Sequence, residues 1–209
     1  TGGGTGLGRE LAEAFLKLGA TVYICGRRQN KLDETATELT ALHGGKIVGM
    51  ACDIRDANAI HEMVDAIWAD GGALTGVVNN AAGNFISRTE DLSVNGFNAI
   101  ADIVMRGTFY VTLDIGKRLI AEKKKASFLS ILTTWVWSGS AFVVPSAMSK
   151  TAINAMLGRI DAALAQRDAT VRQMRRFGSR RTRRVTARSC SALALTPVSR
   201  AGVSARRAT

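Results

Sequence analysis

Three glycines near the start of the chain have the spacing of a phosphate-binding turn. Gly2, Gly6 and Gly8 lie in TGGGTGLG, with Thr5 and Leu7 between them, directly ahead of an amphipathic helix. Glycines in such a turn permit a tight bend, close approach of the backbone to an anion and close packing of helix on sheet, while the first N–H groups of the helix face the anion. The turn therefore predicts a dinucleotide site, and an ordinary loop is the alternative.

Two arginines follow the next apolar segment, where the ribose of a bound dinucleotide would lie. A carboxylate about 20 positions after the glycines accepts the 2′-hydroxyl of NAD and repels a 2′-phosphate. Here the chain reads Gly26, Arg27, Arg28, and two guanidinium groups can pair with a phosphate. These residues favour NADP(H). The alternative is that one or both arginines are solvated surface residues.

One acidic residue directly follows a third apolar segment, KIVGMAC. This residue, Asp53, has two possible roles that the sequence leaves open. Its carboxylate accepts a hydrogen bond from the adenine amine of the coenzyme, or it caps the next helix. Ile54, its neighbour, is assigned to the same coenzyme site.

Strand and helix periodicities alternate through most of the chain. Apolar spacing predicts strands at residues 21–25, 46–52, 74–81 and 127–134, and helices at residues 30–43, 58–69, 95–124 and 146–164. Such alternation predicts a doubly wound parallel sheet with helices on both faces, a Rossmann-like α/β fold. Because a glycine turn of this kind is fed by a buried strand, we expect a strand ahead of Thr1 and a fold that is incomplete at both ends of this sequence.

The net charge of +11 is concentrated in the last part of the chain. Residues 1–166 hold 16 basic and 16 acidic side chains, whereas residues 167–209 hold 12 arginines, no lysine and one acidic residue, Asp168. We therefore predict a nucleotide-binding domain over residues 1–166 and an Arg-rich tail over residues 167–209 that forms no core. The preferred interpretation of the tail is a disordered segment or an altered reading frame, and a basic arm for nucleic acid or anionic membrane is the alternative.

The cysteines and the apolar runs bear on the cellular compartment of the protein. Three cysteines without a CxxC pair fit neither a disulfide framework nor a metal site, which predicts a reducing compartment and no bound metal. No uninterrupted apolar run approaches the roughly 18 residues of a membrane helix. We predict a cytoplasmic protein without a membrane partner.

Three motifs in order resemble the short-chain dehydrogenase/reductases. They are TGGGTGLG, CDIRD after the third predicted strand, and NNAAG at residues 79–83. In that family the NNAG element steadies the central sheet and lines the nicotinamide side of the coenzyme. The resemblance therefore implies coenzyme contacts for Asn80 and Ala81.

Within that family, NNAAGNFIS and FVVPSAMSK are similar to the 2,4-dienoyl-CoA reductase branch, which reduces a conjugated fatty acyl-CoA with NADPH. Its catalytic pattern falls on Asn84, Trp135, Ser146 and Lys150. The resemblance implies that Asn84 donates to a developing oxyanion, Ser146 orients the substrate, and Lys150 binds the coenzyme ribose and supports the site electrostatically. Trp135 departs from the branch, which has a Tyr there. The difference matters because an indole has one N–H donor and no usable acid.

The resemblance implies an NADP-dependent oxidoreductase of fatty acid metabolism that acts on an acyl-CoA and assembles as a homotetramer. Two alternatives stay open: a carbonyl or alcohol dehydrogenase of the same family, and a non-catalytic protein that binds a nucleotide or nucleic acid. Phe85, next to Asn84, lines an acyl pocket or packs in the core.

Overall fold

The computed structural model describes residues 1–165 and 171–174. The helices in this part of the chain are α1 (Gly6–Lys17), α2 (Gln29–His43), α3 (Ala57–Gly71), α4 (Val94–Ala101), α5 (Thr108–Ala121) and α6 (Val144–Ala165). The strands are β1 (Val22–Gly26), β2 (Ile47–Ala51), β3 (Gly76–Asn79), β4 (Ala126–Ser130) and β5 (Val171–Met174).

The strands form two parallel sheets. β1 pairs with β2, and Val22 lies opposite Ile47. β3, β4 and β5 form the second sheet with β4 in the middle, and Asn79 lies opposite Ser130 at the carboxyl end. Because parallel neighbours need a crossover, a helix follows each of the strands β1 to β4. The predicted parallel α/β architecture is confirmed.

Helices cover the strands from two sides. One apolar cluster joins α1, α2 and the first sheet through Leu16, Leu32 and Ile24. A second joins α3 and α5 to the strands, with Val64 and Phe128 at its centre. Two separate clusters on a parallel sheet are what a doubly wound fold requires, and they hold the carboxyl ends of the strands at one edge.

Local signals set the start of α3 and the end of α2. The Asp56 carboxylate accepts a hydrogen bond from the N–H of Asn58 at 2.8 Å and caps α3. Gly44 ends α2 with a φ of 67°, in the left-handed region that glycine adopts without strain. The start of α3 and the turn that leads from α2 into β2 are therefore fixed by local contacts.

The long predicted helix at residues 95–124 is divided by a change of helical type. A π-helical segment, Asp102–Gly107, separates α4 from α5. A Cβ added at Gly107 would lie 2.7 Å from the Cδ1 atom of Ile54, so the helix passes directly over the segment that follows β2. Only a glycine permits this approach without displacing Ile54.

Two further differences concern the last strands. The strand predicted at residues 127–134 ends at Ser130; the N–H of Ile131 still donates to the Asn79 carbonyl at 3.0 Å, and the chain then leaves the sheet. The structure also contains β5, which the periodicity does not predict. Residues 166–170 and 175–209 lie outside the described residues, so the boundary at residue 166 and the nature of the Arg-rich tail stay predictions. In the described part of the chain, no helix is long and apolar enough to cross a membrane.

Candidate functional site

The glycine turn allows backbone segments to approach each other closely. Gly2 has a φ of 66°, and a Cβ there would lie 3.1 Å from the Cα of Ala81. A Cβ on Gly8 would lie 2.1 Å from the carbonyl oxygen of Gly2. Thr5 precedes α1 in an extended conformation, and its side chain does not cap the helix. The first turn of α1 therefore presents its N–H groups to an anion.

Thr1 ties this turn to the segment after β3. Its hydroxyl oxygen accepts hydrogen bonds from the N–H groups of Asn80 at 3.1 Å and Ala81 at 2.9 Å. The Asn80 side-chain amide donates in return to the Thr1 carbonyl at 3.0 Å. Asn80 and Ala81, which the family resemblance assigns to the coenzyme site, thus also hold the glycine turn in place.

A cavity of about 370 Å³ opens at the carboxyl ends of β1 and β2. It brings together ten of the residues predicted to bind the coenzyme: Gly2, Thr5, Leu7, Gly8, Arg27, Arg28, Asp53, Ile54, Asn80 and Ala81. Gly6 and Lys150, predicted for the same role, do not line it. The position of the cavity, in the crevice beyond the carboxyl ends of parallel strands, is where this architecture binds ligands.

Basic side chains form one wall of the cavity. Arg27 and Arg28 follow β1 and are exposed, and Lys31 joins them from the first turn of α2. Sequence reasoning missed Lys31, although its position three residues after Arg28 places it one helical turn away. The Lys31 ammonium also pairs with Glu34 at 2.5 Å.

Asp53 is held by a neighbour that the sequence analysis did not consider. The Arg55 guanidinium donates from Nε to Oδ1 and Oδ2 of Asp53, each at 2.9 Å. This hydrogen bonding holds the pKa of Asp53 below its usual range, so its carboxylate is ionised at neutral pH. The helix-capping alternative for Asp53 is wrong, because Asp56 caps α3. The adenine contact stays a prediction.

Two buried cysteines lie beside the cavity. Cys25 and Cys52 line it with free thiols, and both residues are buried. Burial raises the pKa of Cys52 to about 12, so the thiolate is scarce at neutral pH. Within the described residues, no group of three His, Cys, Asp or Glu side chains could hold a metal ion.

Lys150 occupies the interior beside β4. It is 6% exposed, and its Nζ donates to the Ile131 carbonyl oxygen at 2.6 Å. Burial lowers the pKa of Lys150 to about 8. Ser146 lies one turn earlier on α6 and is also buried. This pair supplies an ammonium that releases its proton more readily than a surface lysine, beside a hydroxyl.

Asn84 and Trp135 lie on the two loops that flank this pair. Asn84 is exposed after β3, and Trp135 is half-buried in a short turn, Thr134–Val136, after β4. The N–H of Ser87 donates to the Phe142 carbonyl at 3.0 Å and joins the two loops. Among the residues described, no hydrogen bond links the side chains of Asn84, Trp135, Ser146 and Lys150 to each other.

A known family matches most of this chain. The family described as short chain dehydrogenase matches residues 1–176. The chain belongs to the short chain dehydrogenase family. That family consists of oxidoreductases that use nicotinamide cofactors on small molecules, and the glycine turn and the cavity beside it agree with membership in it.

Curated relatives of this short chain dehydrogenase carry a narrower name. A Caenorhabditis elegans protein named as a probable 2,4-dienoyl-CoA reductase is 45% identical over 157 residues, which are 75% of this chain and 51% of the relative. A Bacillus subtilis protein of similar name is 33% identical over 153 residues, which are 73% of this chain and 60% of the relative. The chain spans about half the length of the Caenorhabditis elegans relatives that it matches.

Solved structures agree on the fold. A crystal structure of a short chain dehydrogenase from Bacillus anthracis superposes with a TM-score of 0.76 and 36% identity, covering 79% of this chain and 68% of that one. A metagenomic short-chain oxidoreductase, crystallised in complex with NADP, has a TM-score of 0.75 at 22% identity and covers 82% of this chain and 77% of that one. At that lower identity the likeness shows the fold alone.

Proposed function

We propose that this short chain dehydrogenase reduces an unsaturated fatty acyl-CoA with NADPH, as a 2,4-dienoyl-CoA reductase does. The observation that carries the coenzyme choice is the wall of Arg27, Arg28 and Lys31 at the end of β1. Three cations at that position, with no carboxylate directly after β1 to accept from a 2′-hydroxyl, favour a 2′-phosphate. The names of the relatives support the acyl-CoA substrate.

The chain's own residues fit a bound dinucleotide. The first turn of α1 and the glycine turn face the pyrophosphate, and Arg27 and Arg28 pair with the 2′-phosphate. Asp53, ionised through its contact with Arg55, accepts from the adenine amine, and Ile54 packs against the base. NADPH, when bound, supplies the hydride.

Lys150 and Ser146 form the polar floor of the substrate side. Lys150 binds the ribose hydroxyls and places its positive charge beneath the developing oxyanion, while Ser146 orients the thioester. Asn84 donates to the thioester oxygen from the loop after β3. Hydride arrives at one carbon of the conjugated system and a proton at another, so the site must stabilise the intermediate negative charge.

Trp135 makes turnover slow. Its indole N–H can donate to the oxyanion but cannot release a proton, and the proton therefore comes from water or from Lys150, whose pKa burial lowers to about 8. A positioned general acid contributes about 10²- to 10⁴-fold to rate. We therefore expect the affinity for coenzyme and substrate to be higher than the low turnover rate alone would suggest.

An apolar rim supports an acyl substrate. Phe85, Ile86, Trp137, Phe142 and Met148 are exposed on the two joined loops and the start of α6. Exposed apolar patches mark contacts with apolar ligands or partners. Of the two roles predicted for Phe85, this exposure favours the acyl pocket over the core.

We also propose a homotetramer that assembles through the long helices. Phe109, Leu113 and Ile120 are all partly exposed on α5, at positions four and seven residues apart that place them on one face. An apolar stripe of this kind supports helix-to-helix contact between subunits.

Coenzyme oxidation with competing substrates tests the proposed function. We expect the NADPH absorbance to fall when a 2,4-dienoyl-CoA is added and to stay constant with simple ketones. With NADH in place of NADPH, we expect slower oxidation of the coenzyme by the dienoyl-CoA. Turnover of ketones alone would contradict the proposal and favour a carbonyl reductase. NADPH binding without turnover of either substrate would favour a non-catalytic nucleotide-binding protein.

A further inference from the structure

One residue ahead of α6 has a backbone conformation that its side chain disfavours. Phe142 has a φ of 66°, in the left-handed region that bulky residues rarely adopt. Such a conformation persists only where the surrounding structure holds it, and residues of this kind cluster at active sites. We propose that Phe142 is a positioning residue of the acyl-CoA site: its left-handed backbone clamps the loop that carries Asn84 to the start of α6, which carries Ser146. This inference rests on the proposed function.

The end of a helix does not explain the conformation of Phe142. Within the residues that the structure describes, Lys123 is the other non-glycine residue with a positive φ, at 54°, and it directly follows the end of α5. Its N–H donates to the Ile120 carbonyl at 3.2 Å, and the N–H of Lys124 donates to the Leu119 carbonyl at 2.9 Å. These two bonds form the usual left-handed end of a helix. Phe142 precedes a helix instead, so its conformation needs another cause.

Backbone contacts on both sides of Phe142 hold it, whereas its ring does not. The Phe142 side chain is 48% exposed, so burial of the ring in a core is not the cause. Its carbonyl accepts from the N–H of Ser87 at 3.0 Å. The next residue, Val143, is buried, and its carbonyl accepts from the N–H of Ala147 at 2.9 Å in the first turn of α6. The left-handed turn therefore directs one carbonyl to the neighbouring loop and the following residue into the core.

The loop after β3 is held from two directions. Phe85 packs on α4, since a Cβ added at Gly96 would lie 2.8 Å from the Cζ atom of Phe85. Two residues later, Ser87 donates its N–H to Phe142. One contact uses a side chain and the other uses the backbone. Together they fix the short stretch of chain next to Asn84.

The other side of the clamp is the start of α6. Phe142 lies four residues before Ser146, which is buried, and eight before Lys150, which donates to the Ile131 carbonyl. A shift of the Phe142 carbonyl would therefore move Asn84 relative to a fixed Ser146. A misplacement of about 1 Å in a group that positions a substrate lowers the rate of reaction. The clamp thus sets the spacing of the two groups that face one thioester.

Two substitutions that both remove the ring test the clamp. Phe142→Asn introduces a residue that tolerates the left-handed region, and Phe142→Val introduces a β-branched residue that does not. Because neither variant has the ring, loss of its contact with the acyl chain affects both alike. We measure hydrogen exchange at the Ser87 amide, and at the Ile131 amide, which donates to the Asn79 carbonyl at 3.0 Å, as a reference. We also measure kcat and KM with NADPH and a 2,4-dienoyl-CoA.

We expect exchange at Ser87 to be about tenfold faster in Phe142→Val than in Phe142→Asn, with no difference at Ile131. We expect kcat to be about tenfold lower in Phe142→Val, while KM for the dienoyl-CoA rises equally in both variants. Loss of the ring alone would change only KM. If Phe142→Val does not fold, Phe142→Ala takes its place, and we expect smaller differences in the same direction.

The two measurements separate the clamp from the proposed function. Equal exchange at Ser87 in the two variants would overturn the clamp. Equal kcat in the two variants would overturn the positioning role of Phe142. A parent protein that does not reduce the dienoyl-CoA would contradict the proposed function, and exchange at Ser87 would still decide whether Phe142 joins the two loops.

Discussion

Lys150 donates from Nζ to the carbonyl oxygen of Ile131 at 2.6 Å, which fastens α6 to the chain where it leaves β4. A neutral carbonyl is a weak counterpart for an ammonium, and burial lowers the pKa of Lys150 to about 8. The contact therefore positions a cation that the fold stabilises only partly.

The pH dependence of stability reports this burial. The pKa of Lys150 is 10.5 in an ordinary setting and about 8 in the folded chain, so between these values the unfolded state binds more protons. Stability contributed by Lys150 therefore rises with pH across that window, by on the order of 3 kcal/mol. We expect Lys150→Met to remove this rise in urea unfolding measured at the two ends of the window. Lys117→Met, at an exposed lysine of α5, is the control and keeps the rise.

Substitution of Gly8 disrupts the glycine turn. The new Cβ would lie 2.1 Å from the Gly2 carbonyl oxygen, so the turn must move. We expect Gly8→Ala to weaken coenzyme binding about tenfold or more and to destabilise the fold by about 1–3 kcal/mol. In Gly116→Ala, where a Cβ meets nothing within 4 Å, we expect unchanged binding. Parent-like titration curves for Gly8→Ala would contradict the assigned role.

Removal of the basic wall changes coenzyme preference. We expect the double substitution Arg27→Ala and Arg28→Ala to weaken NADPH binding by about 10²-fold or more, because each hydrogen bond to a charged group contributes about 1.5–3 kcal/mol. NADH binding should change little. Arg159→Ala, at an exposed arginine of α6 that does not line the cavity, removes one charge and serves as the control. Equal loss of affinity for both coenzymes would show that these arginines do not read the 2′-phosphate.

Restoring a phenol at residue 135 increases turnover. Trp135 lies in the turn after β4, where the dienoyl-CoA reductase pattern has a Tyr. We expect Trp135→Tyr to raise kcat with a dienoyl-CoA by about 10²-fold or more, with a small effect on KM, because only the proton donor changes. Trp137→Tyr, two residues away on the apolar rim, should leave kcat within about twofold and act only on KM. A gain in both variants would indicate repacking of the loop instead.

Short-range patterns predicted which residues the structure brings together around the cavity at the ends of β1 and β2. Gly2 and Gly8 could be assigned because only glycine tolerates the backbone approaches that the turn makes, and this requirement is visible in the spacing. Arg27 and Arg28 were placed by their distance from the turn. The sheet edge was also predictable, since period and order alone fix which ends of parallel strands meet.

Contacts between distant or competing groups were not visible in the sequence. Asp53 has Arg55 as its partner and leaves the cap to Asp56, although both acids precede the same helix. A backbone carbonyl leaves no signal in the sequence. The contact between the Ile131 carbonyl and Lys150 could therefore be found only from the fold. β5 was missed because four residues without alternation give too little periodicity.

The approach of Gly107 to Ile54 has a consequence for the coenzyme cavity. Ile54 forms part of the cavity lining. Gly107 lies against Ile54 but does not itself line the cavity. Gly107 on the neighbouring helix therefore limits where the Ile54 side chain can lie, and with it the width of the cavity. Gly107→Ala would displace Ile54 and narrow the space predicted for the base, although the new methyl group would not touch the base itself. A loss of coenzyme affinity in this variant would reveal that effect.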